Sequence, residues 1–188
     1  MILAGDVRPG VKILHNNEPY NVIDVTFVKP GKGGAFAKTK MKNLITNLVR
    51  EVTFRNEEKL DQPDLSHKTF QFLYSQGKSY SFMDQESFED VTLDESMIEK
   101  VKYYLREQEI YTMLFWGDRL IDIQAPLHMI MVVTETPPGV RGDTAQGAAN
   151  KPATLDTGLV VLVPLFVDNG DKLKIDTRTG EYVERIKK

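Results

Sequence analysis

The alternation of apolar and polar positions along the chain predicts β-strands almost throughout. Asn16-Asn17-Glu18-Pro19 separates two apolar stretches near the start, and Asn and Pro are typical of tight turns, so we expect a hairpin there. Together with two later stretches, these segments predict a small twisted barrel of short strands. Its four predicted strands are residues 11–15, 20–28, 35–44 and 48–55.

The remainder of the chain predicts further hairpins and one helix. Turn residues occur at Gln76-Gly77, Gly117-Asp118 and residues 177–180. The strands predicted around them are residues 69–75, 78–83, 110–116, 119–123, 129–135, 159–165, 172–176 and 181–186. Residues 94–105 predict the helix, with Asp94 as N-cap. Its apolar stripe consists of Met97, Val101, Tyr104 and Leu105.

Polar, proline-containing joints divide the chain into three predicted domains: residues 1–62, 63–128 and 129–188. Each holds about 60 residues, and three small barrels fit this spacing better than one large sandwich. The second and third are expected to be five-stranded Greek-key barrels of the OB type. The predicted fold class is therefore all-β.

Composition excludes several classes of function. The chain has 188 residues, a formal net charge of −3 and no cysteine, which excludes disulfides, thiol nucleophiles and cysteine-based metal sites. His15, His67 and His128 lie far apart, so no metal site is predicted. The first ten residues lack the pattern of a signal peptide, and the longest apolar runs are too short to cross a bilayer. We expect a soluble, cytoplasmic protein that does not associate with membranes.

Charge is distributed unevenly over the three predicted domains. The first carries 10 Lys/Arg against 7 Asp/Glu, the second 6 against 12, and the third 8 against 8. Alternation over residues 35–44 places Lys38, Lys40 and Lys42 on one face of a strand. Residues 29–42 contain no acid and five lysines, a pattern that attracts phosphate backbones. The alternative is an ordinary solvated strand face.

The segment FVKPGKGGAF, residues 27–36, is the most distinctive part of the chain. Pro30, Gly31, Gly33 and Gly34 surround a single lysine, Lys32, and predict a slim hairpin tip with one side chain presented at its end. The alternative is a glycine-rich turn with an incidental lysine. The segment is not a P-loop, because Gly33 stands where the magnesium-binding Ser or Thr should follow the lysine.

Two blocks of sequence resemble the bacterial elongation factor P family. One is the Lys32 segment, and the other is KPATLDTGLVVLVPLFVDNG at residues 151–170. Arg8-Pro9-Gly10 and the segment DTRTGEYVERIK at residues 176–187 also fit, so the resemblance covers essentially the whole chain. It implies a KOW- or SH3-like barrel followed by two OB-like barrels in an L-shaped arrangement.

The resemblance also implies a function. Members bind the ribosome between the peptidyl and exit sites, beside peptidyl-tRNA and against ribosomal RNA, and they relieve stalling at consecutive prolines. Lys32 maps to the lysine that approaches the CCA end of peptidyl-tRNA. A separate lysine-modifying enzyme extends that residue in many bacteria, for example by β-lysylation. A monomer without a cofactor or catalytic site of its own is expected.

Further RNA contacts are expected at three places. Lys29, Lys38, Lys40 and Lys42 could contact phosphates of tRNA or ribosomal RNA. The resemblance places Gly142, Asp143 and Thr144 near the small subunit and the exit-site codon, although an aspartate turn in a long loop is the alternative. Tyr182 and Arg185 could stack on and pair with RNA, or form a strand-surface pair.

Two other classes of function remain as alternatives. A general single-stranded-RNA-binding OB protein would need exposed aromatic residues, and Phe70, Phe72, Tyr74 and Tyr80 are expected to be core instead. A hydrolase is disfavoured because no set of nucleophile, base and orienting residue can be assembled from the sequence.

Overall fold

The computed structural model describes residues 1–31, 33–139 and 150–186. Lys32, the predicted loop residues Gly142, Asp143 and Thr144, and the two C-terminal lysines lie outside the described residues. The chain divides into two compact units, Met1–Lys68 with Met113–Asp122, and Thr69–Thr112 with Ile123–Lys188. The predicted domain boundaries and the L-shaped arrangement stay predictions.

The first barrel is built on a four-stranded antiparallel sheet in the order β2-β3-β4-β5, and a small β1-β6 pair accompanies it. Its strands are β1 (Ile2–Leu3), β2 (Lys12–His15), β3 (Glu18–Val28), β4 (Phe36–Asn43), β5 (Val49–Arg55) and β6 (Lys59–Leu60). Asn16 and Asn17 take φ values of 51° and 57° in the β2–β3 turn, which confirms the predicted hairpin. The core consists of Ala4, Val7, Ile13, Tyr20, Val22, Met41, Phe54 and Leu60.

A five-stranded sheet in the order β11-β10-β7-β8-β9 follows. Its strands are β7 (Leu65–Gln76), β8 (Ser79–Asp84), β9 (Asp90–Asp94), β10 (Ile110–Trp116) and β11 (Arg119–Gln124). The buried rings of Phe72, Phe82 and Tyr111 stack in sequence, with centroids 5.1 Å and 5.8 Å apart. These edge-to-face and tilted contacts form its aromatic core.

The third sheet is also five-stranded, in the order β14-β13-β12-β15-β16. Its strands are β12 (His128–Glu135), β13 (Asn150–Leu155), β14 (Val160–Pro164), β15 (Lys172–Asp176) and β16 (Glu181–Arg185). Buried aliphatic residues alternate along β12, β14 and β15 and fill its centre. Three barrel-like sheets confirm the predicted all-β fold class.

The helix predicted over residues 94–105 is wrong. Only the four residues of α1 (Glu95–Ile98) are α-helical, and a 3-10 turn at Lys102–Tyr104 follows. Asp94 ends β9 and makes no side-chain capping hydrogen bond. Met97 is 49% exposed, and Val101 leaves helical geometry at φ −111° and ψ 2°. Ile98, Val101 and Tyr104 are the buried residues of this segment, and Val101 separates the two short turns.

Burial also differs from expectation at Tyr74. Phe70 and Phe72 are buried as predicted and Tyr80 is partly buried, but Tyr74 is 53% exposed. A register shift between Phe72 and Tyr74 in the β7–β8 pairing interrupts the alternation on which the prediction rests.

The buried hydroxyl of Tyr111 gives a pH-dependent test of the second barrel. It donates to the Tyr104 carbonyl at 2.7 Å and accepts from the Arg106 N–H at 2.9 Å. Burial raises the pKa of Tyr111 to about 12, whereas an unfolded tyrosine ionises at about pH 10. The stabilisation from the neutral buried hydroxyl is therefore present below about pH 10 and is lost as pH rises towards 12.

We expect Tyr111→Phe to lower the free energy of unfolding at neutral pH by about 1–3 kcal/mol, because two buried backbone groups lose their partner. Between pH 10 and 12 the wild type should lose stability more steeply than the variant. Denaturant titrations at several pH values measure both effects. Parallel pH profiles for the two proteins would contradict this assignment.

Candidate nucleic-acid interface

The glycine-rich segment connects β3 to β4 at the end of the longest hairpin of the first barrel. The pairing of β3 with β4 extends to Val28 opposite Phe36, so the connection starts where the sheet ends. Lys29, Pro30, Gly31, Gly33 and Gly34 are all exposed. The described residues of this connection are therefore exposed beyond the end of the sheet, and the presentation of Lys32 at the tip stays a prediction.

The glycines of this tip leave open space around it. Gly33 has φ 113°, a value that disfavours residues with a Cβ. Gly31 and Gly34 do not have positive φ, yet a Cβ built on either would meet no heavy atom within 4 Å. At these two positions the fold itself does not require glycine, and the space beside the backbone is open to a closely approaching partner.

The base of the tip is held by backbone hydrogen bonds that sequence reasoning missed. The N–H of Asn56 donates to the Ala35 carbonyl at 3.0 Å, and the Asn56 carbonyl accepts from the Gly5 N–H at 3.0 Å. The Arg8 guanidinium donates to the Val7 carbonyl at 2.7 Å and lies 5.1 Å from the centroid of the Phe27 ring. These contacts tie the end of β3 and the start of β4 to the N-terminal segment.

The lysine face predicted for residues 35–44 is present on β4. Lys38, Lys40 and Lys42 are exposed, while Ala37, Thr39 and Met41 are buried. In the part of the chain that the structure describes, none of the three lysines is in an ion pair. The face is therefore open to an anionic partner.

The three lysines differ in their cross-strand neighbours. Lys40 lies between Asp24 on β3 and Glu51 on β5, so its field is partly offset. Lys38 lies between Thr26 and Thr53, and Lys42 between Asn21 and Val49, so neither has an acidic neighbour in register. Lys38 and Lys42 are consequently the stronger candidates for phosphate contacts.

One more cation joins this face. Arg55 on β5 is exposed and pairs in register with Phe36, the first residue of β4 after the tip. Arg55 is distant in sequence from the glycine-rich connection, and the pairing of β4 with β5 is what places it at the base of that connection. Glu58 accepts a hydrogen bond from the Arg55 backbone N–H at 3.2 Å.

The connection that carries Gly142, Asp143 and Thr144 is described only at its two ends. Lys151 is 5% exposed, and its ammonium group donates to the Pro137 carbonyl at 2.7 Å. Gly139 packs so closely that a Cβ built on it would lie 2.5 Å from the Leu165 carbonyl oxygen. A buried charged side chain and a glycine at close approach therefore fix the described ends of this connection.

Tyr182 and Arg185 both have partners within the third barrel. Tyr182 is partly buried and packs against the core of that barrel. The Arg185 guanidinium donates to an Asp171 carboxylate oxygen at 3.2 Å and lies 5.0 Å from the centroid of the Phe166 ring. The two side chains therefore contact different partners, and both the strand-surface pair and RNA binding by these residues stay predictions.

Two structural features bear on other classes of site. Among the described residues, no group of three or more His, Asp or Glu is arranged to hold a metal ion. No helix in the described ranges is long and apolar enough to cross a membrane.

Comparison with known proteins covers the whole chain. The family model for the elongation factor P KOW-like domain matches residues 3–60, the model for the elongation factor P OB domain matches residues 65–123, and the model for the elongation factor P C-terminal domain matches residues 129–185. The elongation factor P of Caldanaerobacter subterraneus is 45% identical over 99% of this chain and 100% of that protein. The elongation factor P of Clostridioides difficile is likewise 45% identical, with the same coverage.

Solved structures show a related fold at low sequence identity. Eukaryotic translation initiation factor 5A from Methanococcus jannaschii matches 65% of this chain and 94% of its own with a TM-score of 0.55 and 18% identity. A translation initiation factor 5A family protein from Naegleria fowleri gives a TM-score of 0.52 at 18% identity, over 65% of this chain and 96% of its own. Three consecutive domain models and close full-length relatives show that the chain belongs to the elongation factor P family.

Proposed function

We propose that this protein is a translation elongation factor that binds the ribosome between the peptidyl and exit sites and stimulates peptide bond formation at consecutive prolines. The observation that carries the proposal is the bare glycine tip on the β3–β4 hairpin, with the exposed lysines of β4 on the same hairpin. The tip presents Lys32 to the CCA end of peptidyl-tRNA, and Lys38 and Lys42 contact RNA phosphates.

The chemistry requires positioning rather than an enzymatic active site. Proline is a secondary amine with a locked ring, so it is both a poor nucleophile and a poor peptidyl donor. Correct orientation of reactants is worth up to ~7–11 kcal/mol in the best cases, and the contribution needed here is far smaller. A cationic arm that holds the peptidyl end supplies orientation, while ribosomal RNA performs the reaction. The protein therefore needs neither a general base nor a cofactor.

Covalent extension of Lys32 fits the open surroundings of the tip. A longer side chain with additional amino groups, as β-lysylation provides, would reach further and donate more hydrogen bonds. Because Gly31 and Gly34 have nothing within 4 Å of a built Cβ, both a modifying enzyme and RNA could approach closely. We propose that a separate enzyme of the cytoplasm makes this modification.

Additional contacts complete the proposed complex. Lys29 and Lys40 would add weaker phosphate interactions to those of Lys38 and Lys42. Gly142, Asp143 and Thr144 would approach the small subunit at the exit-site codon, and Tyr182 with Arg185 would meet RNA at the third barrel. The factor would act as a monomer.

The role of Lys32 is tested by a triple-proline reporter in a translation system depleted of the endogenous factor. We expect protein purified from its own cells to restore synthesis, and Lys32→Ala to lower the rate by about tenfold or more, which corresponds to about 1.4 kcal/mol of lost barrier reduction. The control is Lys78→Ala, which removes one positive charge from an exposed side chain of the second barrel. Equal rescue by Lys32→Ala and wild type would exclude the loop lysine as the active contact.

The lysine face is tested by the salt dependence of ribosome binding. Each lost phosphate contact should reduce the slope of log affinity against log salt by about 0.7–0.9. We expect this reduction for Lys38→Ala and for Lys42→Ala, and a smaller one for Lys40→Ala because Asp24 and Glu51 flank that residue. Co-sedimentation at several salt concentrations measures the slopes. Unchanged slopes for all three variants would show that this face does not contact RNA.

A further inference from the structure

Tyr104 belongs to the segment between β9 and β10 of the second sheet but is buried in the core of the third barrel. Its side chain is 6% exposed and packs in one cluster with buried residues of β12, β13, β14 and β15. Both segments belong to the same compact unit, Thr69–Thr112 with Ile123–Lys188. A large aromatic ring from one barrel thus completes the apolar core of the next.

The backbone of Tyr104 is fixed from the opposite side. Tyr111 on β10 is fully buried against the ring of Phe82, which in turn packs against Phe72. Its hydroxyl donates to the Tyr104 carbonyl at 2.7 Å. The same hydroxyl accepts from the Arg106 N–H at 2.9 Å. The aromatic core of the second sheet therefore holds the segment whose ring enters the third barrel.

Gly180 adjoins the hydroxyl group of this side chain. It lies in the β15–β16 turn with φ 72°, and a Cβ built on it would lie 3.3 Å from the Tyr104 hydroxyl oxygen. That distance is tighter than an ordinary van der Waals contact. Gly158, in the β13–β14 turn, also has positive φ (83°), but a Cβ there would meet nothing within 4 Å. The two glycines have similar backbone conformations, and only Gly180 adjoins Tyr104.

Polar contacts reinforce the same junction. The Arg106 guanidinium donates to an Asp156 carboxylate oxygen at 3.0 Å. The segment that connects β11 to β12 is also held in place. The Thr177 hydroxyl donates to the Pro126 carbonyl at 2.8 Å, and the Thr177 N–H donates to the Leu127 carbonyl at 3.1 Å. Ala125 packs against the core of the third barrel. The two barrels are therefore joined by a buried ring, an ion pair and an anchored linker.

We propose that Tyr104 and Gly180 form a fixed joint that makes the Thr69–Thr112 part of the second barrel and the third barrel one rigid body, and that this rigidity tightens ribosome binding. The second part rests on the proposed function. A protein that contacts its partner through several barrels loses less conformational freedom on binding when those barrels are already fixed relative to one another. Tyr104 is thus a positioning residue that acts through the third barrel.

The joint itself is tested by the distance between two spin labels. The chain has no cysteine, so Ser75→Cys and Val160→Cys, both exposed, introduce two unique labelling sites. We expect one narrow distance distribution in the otherwise unsubstituted protein and a broad one when Tyr104→Ala or Gly180→Ala is added. Tyr103→Ala, at an exposed neighbour, and Gly158→Ala are the matched controls and should keep the narrow distribution.

Two further variants separate the joint from general instability. Tyr104→Phe keeps the ring and should restore the narrow distribution. Thermal unfolding of each variant shows whether the barrels are folded at the temperature of the distance measurement, and Gly180→Ala serves where Tyr104→Ala does not fold. A distribution that stays narrow in folded Tyr104→Ala or Gly180→Ala overturns the joint.

The contribution of the joint to ribosome binding is tested by varying the concentration of the factor on ribosomes stalled at consecutive prolines. We expect Tyr104→Ala or Gly180→Ala to raise the concentration for half-maximal stimulation by roughly two- to tenfold and to leave the maximal rate unchanged. If a variant has a broadened distance distribution but an unchanged concentration for half-maximal stimulation, rigidity of the joint does not contribute to ribosome binding. If the unsubstituted protein gives no stimulation, the proposed function is wrong, and so is the role of the joint in ribosome binding. The distances between the spin labels would still show whether Tyr104 and Gly180 hold the barrels in a fixed arrangement.

Discussion

The antiparallel pairing of β3 with β4 is the interaction on which the candidate interface depends. Because side chains alternate across a strand, pairing β4 in register buries Ala37, Thr39 and Met41 and leaves its three lysines exposed. A shift by one residue would bury the lysines and expose the apolar residues, so the core of the first barrel fixes the charged face. The same ladder ends at Val28 and Phe36, which is why the glycine tip projects beyond the sheet.

A second constraint comes from the small size of the barrels. A domain of about 60 residues buries a modest fraction of its surface and is marginally stable alone. The structure meets this constraint in unit Thr69–Thr112 with Ile123–Lys188 by sharing a residue, since Tyr104 completes a core otherwise made of Met, Val, Leu, Ile and Ala. Sharing a core residue couples the stability of two barrels to their relative placement. The proposed function, in which the protein positions another molecule, benefits from a fixed placement of the barrels.

Sequence patterns predicted those elements in which alternation and turn residues agree. The strands at residues 110–116 and 172–176 have the predicted bounds, and β4 has the predicted faces.

Prediction failed where tertiary contacts decide the structure. Tyr104 has the spacing of a helix stripe but is buried in the third barrel, so the helix breaks at Val101. The strands β9 and β13 were missed, since one is acidic and the other contains Pro152. In the candidate interface the β4 lysines could be read from alternation, whereas Arg8 and Arg55 could not, because their neighbours depend on packing and register.

The proposed function requires that the tip of the β3–β4 hairpin contact the 3′ end of peptidyl-tRNA. The most direct measurement is chemical footprinting of the CCA nucleotides on ribosomes stalled at consecutive prolines, with no factor, with the wild type and with Lys32→Ala, each at saturating concentration. We expect the wild type to protect these nucleotides and Lys32→Ala to bind the same ribosomes with reduced protection. Identical CCA reactivity with no factor and with bound wild type would contradict it.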